Sequence, residues 1–330
     1  MPLRVAGADP GTSSLDWLIL EDGQVVDQCR FTPGPLQADP SLPVRWLQER
    51  GPFALIAGPS GYGLPLIPAA ACTDEQLSLM TLSRPDEALP GGGVLGFRRM
   101  VLALRESGLP VAFLPGVIHL PTVPAQRKLN RIDLGTADKL CVAALALAQR
   151  TQRAAFCLVE LGSAFSACLV VADGQVVDGV GGSSGPFGWR SGGAWDGEAA
   201  HWLGPLAKRD LFAGGVASAS DATLGRLRFR ESLLQTVAGL QALTPFREVV
   251  LSGRLLDTEP TFIDEVRADL GRLATVSSLE ALPGAWVKHA AQGAALIADG
   301  LAGGRYAPLV QRLQLADSAG TVLDWLTYRK

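Results

Sequence analysis

The sequence predicts an α/β protein of two duplicated halves, each a mixed five-stranded sheet flanked by helices. Three observations carry that expectation. The string DGQVVD occurs twice, at residues 22–27 and 173–178. Each copy follows the same series: an apolar strand ending in an acid, a turn of small residues, and a second apolar strand. The first series reads RVAGADPGTSSLDWLILE and the second AAFCLVELGSAFSACLVVA, with equal spacing from Asp9 to Asp22 and from Glu160 to Asp173. Beyond each hairpin, apolar runs of strand length alternate with stretches of helical period, the pattern of a sheet that continues through crossover helices.

Asp-Gly between short apolar runs is a hairpin signal, because a two-residue turn matched to strand twist needs positive φ at both central positions. Two such hairpins, each closing a strand, turn, strand unit, mark an internal duplication. After three strands the first half runs through a proline-rich connector, TPGPLQADPSLP, to a short helix around Trp46. The strand FALIAG then enters the turn PSGYG. Residues 96–108, GFRRMVLALRESG, carry an apolar stripe at helical spacing and end on glycine. The strand VAFLPGVI, the polar loop PAQRKLNRIDLG and the helix TADKLCVAALALAQR follow, with Thr136 as cap candidate.

The second half repeats the three strands and inserts GGSSGPFGWRSGG, residues 181–193. A helical region, the strand REVVLSGR, a helix from Glu259, the strand ATVSS and the Ala/Gly-lined helix KHAAQGAALIADGLAGG complete it. The small residues of that last helix suit close packing more than chemistry. The boundary is expected between Gln149 and Arg153, giving domains 1–150 and 151–330, with C-terminal helices able to pack back on the first.

A net charge of −3 over 330 residues supplies no basic field for nucleic acid or an anionic membrane. The longest apolar helical stretch, KLCVAALALA, is too short to span a bilayer, and the start reaches Arg4 and Asp9 without a secretory apolar region. A soluble, cytoplasmic protein is expected. Cys29, Cys72, Cys141, Cys157 and Cys168 are odd in number and lack any CxxC, which argues against a disulfide framework or a metal cluster. Cys141, Cys157 and Cys168 sit in apolar runs and read as core.

Two turns, each with an acid on the preceding strand and a glycine inside, suit a polyphosphate clamp. Backbone N–H groups of such turns point at phosphate oxygens, and small side chains let the backbone approach. The candidates are Gly11, Thr12 and Ser13 in the first turn, and Gly162 and Ser163 in the second. A carboxylate beside each turn repels phosphate, so Asp9 and Glu160 suit a role as Mg2+ carboxylates acting through water. Taken singly, each acid reads equally as a turn cap. The duplication at equal spacing favours the phosphate site.

These residues resemble the actin, sugar kinase and chaperone ATPase superfamily. Its first phosphate signature is matched by ADPGTSSLDWLIL, its second by VELGSAFSACLV, and its nucleotide-base signature by VVLSGR, which adds Ser252, Gly253 and Arg254. Its connecting helix is matched by QGAALIADGL. The resemblance implies two ribonuclease H-like domains with an ATP cleft between them, and ATP and Mg2+ as cofactors. Within the superfamily, GPFGWRSGG and RKLNRIDLGTADK resemble stretches of acetate and butyrate kinases, and the chain is similar to the family labelled predicted butyrate kinase. Arg190 then corresponds to the arginine that touches the transferred phosphoryl group. The chain departs from that pattern at three places: Glu160 replaces a histidine, His119 stands where an aspartate is expected, and GPSGYG replaces an R-G-G turn.

The resemblance makes Asp133 a further catalytic candidate beside Arg190, and Ser60, His119, Asp138 and Lys139 candidate acceptor contacts. Arg190 falls on a glycine-rich stretch read as flexible, where arginine serves a ligand better than packing. Asp133 and Asp138 have a structural reading too, since carboxylates favour helix starts. The expected function is phosphotransfer from ATP to a small acceptor, a short carboxylic acid giving an acyl phosphate. The alternative is a nucleotide-binding switch of the same fold, and a sugar or polyol kinase is a third option. ATP and a small molecule are the expected partners, and a homodimer is an open option for assembly.

Overall fold

The structure is a computed structural model, and it describes residues 2–11, 14–82 and 94–327. Its strands in chain order are β1 (Arg4–Pro10), β2 (Leu15–Glu21), β3 (Gln24–Phe31), β4 (Leu55–Ala57), β5 (Ile67–Pro68), β6 (Val111–Phe113), β7 (Phe156–Leu161), β8 (Ser166–Ala172), β9 (Gln175–Val180), β10 (Glu248–Ser252) and β11 (Thr275–Ser278). The helices are α1 (Pro33–Ala38), α2 (Leu42–Gln48), α3 (Asp74–Thr81), α4 (Val94–Glu106), α5 (Ala125–Lys128), α6 (Ala137–Ala148), α7 (Gly197–Leu203), α8 (Ala222–Leu243), α9 (Leu255–Thr258), α10 (Pro260–Leu270), α11 (His289–Leu301) and α12 (Ala307–Leu313).

The chain divides into two compact units. One takes Met1–Thr122, Thr136–Gln149 and Glu280–Asp324; the other takes Val123–Gly135, Arg150–Leu279 and Trp325–Lys330. The chain passes from one unit to the other between Gln149 and Arg150, and two segments, 123–135 and 280–324, belong to the unit opposite the half of the chain in which they fall.

The sheet of the first unit runs β3-β2-β1-β4-β6-β5. β1, β2 and β3 form an antiparallel meander, and β4 and β6 extend it in parallel. The sequence predicts five strands here; the sixth, β5, is a two-residue edge that pairs antiparallel with β6. The proline-rich connector also differs from expectation, since it contains α1. Pro33 stands at the first helical position, where the missing N–H costs nothing and the fixed φ suits the helix.

α11 is buried along nearly its whole length and packs on β1 and α6. Small residues make that possible. A Cβ at Gly7 of β1 would overlap the α11 backbone at Ala295, and one at Gly293 of α11 would overlap the Cys141 carbonyl of α6. On the other face of the sheet, Trp17, Ile56, Phe113, Leu77 and Met80 lie in a core that excludes water almost completely. Each such side chain contributes about 1.5–3 kcal/mol by leaving water.

The sheet of the second unit runs β11-β10-β7-β8-β9, with the same pattern of antiparallel meander and parallel extension. Its core joins Val159, Val170 and Leu251 to Phe229 of α8 and Phe262 of α10. Trp189 joins the two phenylalanines, 6.4 Å from Phe229 and 5.5 Å from Phe262 between ring centres, and Arg226 lies over Trp189 and Phe262.

The duplication extends to backbone detail. Asp22 and Gly23 have φ of 49° and 75°, and Asp173 and Gly174 have 49° and 74°, as a twist-matched two-residue turn requires. Each hairpin also carries a register shift at the matching place, between Ile19 and Leu20 and between Val170 and Val171. Thr136 does stand at the cap position of α6, but its hydroxyl donates to the Asp138 carboxylate instead of accepting a helix N–H. Among the described residues, no helix is long and apolar enough to cross a membrane.

Candidate active site

In the first unit, β1 ends on Asp9 and Pro10, which pair with Asp16 and Leu15 at the start of β2. This register places two carboxylates at one strand end, on either side of the turn. Asp9 and Asp16 are both buried. Gly11 opens the turn; Thr12 and Ser13 lie outside the described residues.

Asp16 accepts from the Ser14 hydroxyl at 2.7 Å, from the Arg30 guanidinium at 2.6 Å, and from the Lys288 backbone N–H at 3.1 Å. Burial pushes its carboxyl upward, but Arg30, the Lys288 charge and Ser14 together hold it below the usual carboxylate value. Asp9 has only a partial counterweight. Burial raises it to about 6, opposed by Lys288, with Asp138 adding and Lys139 subtracting. Asp138, half-buried, is held low against desolvation by Lys139, at 2.7 Å, and by the Thr136 hydroxyl. The first unit thus gathers Asp9, Asp138 and Lys139 from the predicted set, and adds Asp16, Arg30 and Lys288, which sequence reasoning missed.

Ser60 and His119 belong to the same unit, and both are buried. The Ser60 hydroxyl donates to the Gly58 carbonyl at 2.8 Å and accepts from the Leu114 N–H at 2.8 Å, which ties the end of β4 to the end of β6. The His119 ring lies against the Gly116 backbone, and its carbonyl accepts from Ala319. Each side chain is 2% exposed.

In the second unit, Glu160 is buried near the end of β7, opposite Ala167 of β8 and Ser252 of β10. Gly162 turns directly above it: a Cβ there would stand 3.5 Å from a Glu160 carboxylate oxygen. Gly253, with φ of 109°, lies against the Leu161 backbone so closely that any side chain would overlap it. Ser252 and Gly253 are thereby brought to the second turn, and Arg254 follows, exposed, before α9.

Arg190 is clasped to the same turn. Its Nε donates to the Ser163 carbonyl at 3.0 Å, and its backbone N–H to the Ala164 carbonyl at 3.2 Å. Gly215 donates back to the Arg190 carbonyl at 2.8 Å. With Trp189 anchored among aromatic rings and Phe187 tied to Ser232, the stretch read as flexible is pinned on both sides. Asp133 also falls in this unit. Its carboxylate accepts from the Gly135 N–H at 2.8 Å and lies over Gly181 and Gly182 at the end of β9. The segment RIDLGTADK therefore divides, with Asp133 in one unit and Asp138 and Lys139 in the other.

Oxygen donors of buried carboxylates suit a hard cation such as Mg2+, which is commonly held through one or two carboxylates and several waters. Asp9 fits that description, because a cation beside it would relieve the burial that raises its carboxyl. Among the described residues, no group of three or more His, Cys, Asp or Glu side chains forms a closed metal site.

Two mixed sheets of one duplicated topology, each with an acid and a glycine turn at the end of its first strand, define the actin-like ATPase fold. The chain belongs to the family described as protein of unknown function (DUF1464), whose model matches residues 7–328. Similar solved structures include the acetate kinase from Entamoeba histolytica, with a TM-score of 0.57 and 11% identity over 82% of this chain and 87% of that one. Another is the Lmo2764 protein from Listeria monocytogenes, a proposed N-acetylmannosamine kinase, with a TM-score of 0.50 and 16% identity over 89% and 97%. At these identities the likeness shows the fold. No curated protein matches the sequence.

Proposed function

We propose that the protein is an ATP- and Mg2+-dependent phosphotransferase acting on a small-molecule acceptor, with a short carboxylic acid as the leading class. The observation that carries this reading is the repeated acid and glycine turn, at Asp9 and Gly11 and again at Glu160 and Gly162, with Arg190 held on the second. The turns bind phosphates through backbone N–H groups. Asp9 and Glu160 each support Mg2+ through water, and Ser252, Gly253 and Arg254 contact the nucleoside. Mg2+, when bound, neutralises phosphate charge.

The acceptor oxygen attacks the γ-phosphorus, the bond to the bridging β–γ oxygen breaks, and ADP leaves. Arg190, held on the second turn, takes the role of a guanidinium that meets charge on the moving phosphoryl group. Its anchored backbone means that little reorganisation is needed at that moment. Asp133 is a further catalytic candidate, and Asp138 and Lys139 are candidates for acceptor contact. An acetate kinase and a proposed sugar kinase among the similar structures are consistent with transfer to a carboxyl or a hydroxyl.

The test is purified protein with ATP, Mg2+ and a panel of short carboxylic acids, trapping acyl phosphate with hydroxylamine. Acid-dependent hydroxamate is the expected result. A second reading, a nucleotide-binding switch, is favoured by Glu160 at the place where acetate and butyrate kinases carry histidine. Tight ATP binding without acceptor-dependent turnover would select it, and absence of ATP binding would exclude both readings.

A further inference from the structure

Lysine is scarce in this chain, five residues against twenty-four arginines, and two of the five stand near Asp9. Lys139 is paired with its neighbour Asp138. Lys288 arrives from 274 residues beyond Ser14, immediately before α11, and no motif marks it. Its ammonium lies 3.4 Å from Asp9 and 3.8 Å from Asp16, and donates to the Ser14 carbonyl at 3.0 Å. A Cβ at Gly11 would strike that same nitrogen. The ammonium therefore rests on the face of the turn that glycine leaves open.

We propose that Lys288 is a phosphate-binding residue of the first turn, contacting the polyphosphate of the nucleotide. The inference rests on the function proposed above. Charge and geometry argue for it together. Asp9, Asp16 and Asp138 place three carboxylates in this region, and Arg30, Lys139 and Lys288 place three cations. Arg30 is committed to Asp16 through close hydrogen bonds, and Lys139 to Asp138. Lys288 is shared, and it approaches both of its carboxylates at more than the usual length of a charged hydrogen bond.

A polyanion brought to the Gly11 turn meets this ammonium; without it, the polyanion meets Asp9 and Asp16. An ammonium is a compact charge with three donors, so it can keep the Ser14 carbonyl while turning the others to phosphate oxygens. The same chemistry is served by lysines that sit inside glycine-rich phosphate loops. Here the lysine is delivered by tertiary structure.

Two measurements test the proposal. The first is calorimetric titration of ATP and of adenosine into full-length wild type, Lys288→Met and Lys288→Arg, with Mg2+ in excess. Lys288→Met is expected to weaken ATP by about ten- to a hundredfold, the worth of one charged hydrogen bond, and to leave adenosine unchanged. Lys288→Arg is expected to recover part of the loss, and the difference should shrink as ionic strength rises. A folded Lys288→Met protein with an unchanged ratio of ATP to adenosine affinity overturns the proposal, as does an equal loss for both ligands.

The second measurement uses wild-type protein and so does not depend on a variant folding. Amine acylation followed by mass spectrometry should show Lys288 protected by ATP and not by adenosine, and no protection overturns the proposal. If wild type binds ATP but Lys288 passes neither test, only this inference falls. If wild type binds no ATP, the phosphotransferase reading falls with it.

Discussion

Asp299 shows how far one side chain can depart from the chemistry of its neighbours. It is fully buried in α11; one carboxylate oxygen accepts the Tyr306 N–H at 2.9 Å, and the other has no hydrogen-bond partner among the described residues. Burial raises its carboxyl above the ordinary value, the Tyr306 N–H and Arg305 oppose the rise, and Asp22 adds to it. Folding thus shifts its balance toward the neutral acid relative to the unfolded chain. Its contribution is complete below the unfolded-state value and is lost as pH rises through the folded one. Asp299→Asn should therefore raise the urea midpoint at neutral pH and flatten its dependence from mildly acidic to neutral conditions; an unchanged pH profile would refute this. Arg190 is exposed and clasped, and its removal should act on turnover. Arg190→Ala is expected to lower turnover by about a hundredfold with ATP affinity changed only a few-fold, read by steady-state kinetics against calorimetry. Unchanged turnover would take Arg190 out of the mechanism.

At the level of elements, the hairpins and α11 differ in what made them readable. Asp-Gly turns declare themselves because their φ requirement is local, and both hairpins adopt the required values down to the matching register shift. Gly174→Ala should cost about 1–2 kcal/mol, since φ of 74° places a Cβ in the left-handed region. Helix α11 was legible as a small-residue helix, but not its two partners. Gly293 faces the Cys141 carbonyl, so Gly293→Ala must push α11 from α6 and is expected to cost on the order of 3 kcal/mol. A denaturant midpoint within error of wild type would show that the helices part more easily than this packing implies. The α1 helix escaped sequence reading because proline within a connector signals a turn as readily as a first helical turn.

For the whole molecule, the consequence lies in how the chain is shared between units. Residues 280–324 belong with 1–122 and 136–149, and α11 covers β1. A chain cut after residue 279 would leave the α11-facing side of β1 and α6 uncovered. It is expected to bind a dye for exposed apolar surface and to lose the cooperative melting of the first unit, whereas native-like melting of both units would contradict the division. The duplicated topology and the two acid and glycine turns were legible in the sequence, because periodicity, turn chemistry and strand pairing within a meander are written between near neighbours. Only the folded chain shows that Ser60 and His119 are buried, that Arg190 is pinned to the second turn, and that Asp133 and Asp138 part into different units. It also brought Lys288 to Gly11 and Asp9. Contacts across more than two hundred residues leave no local pattern, since they depend on how a buried helix seats on a sheet.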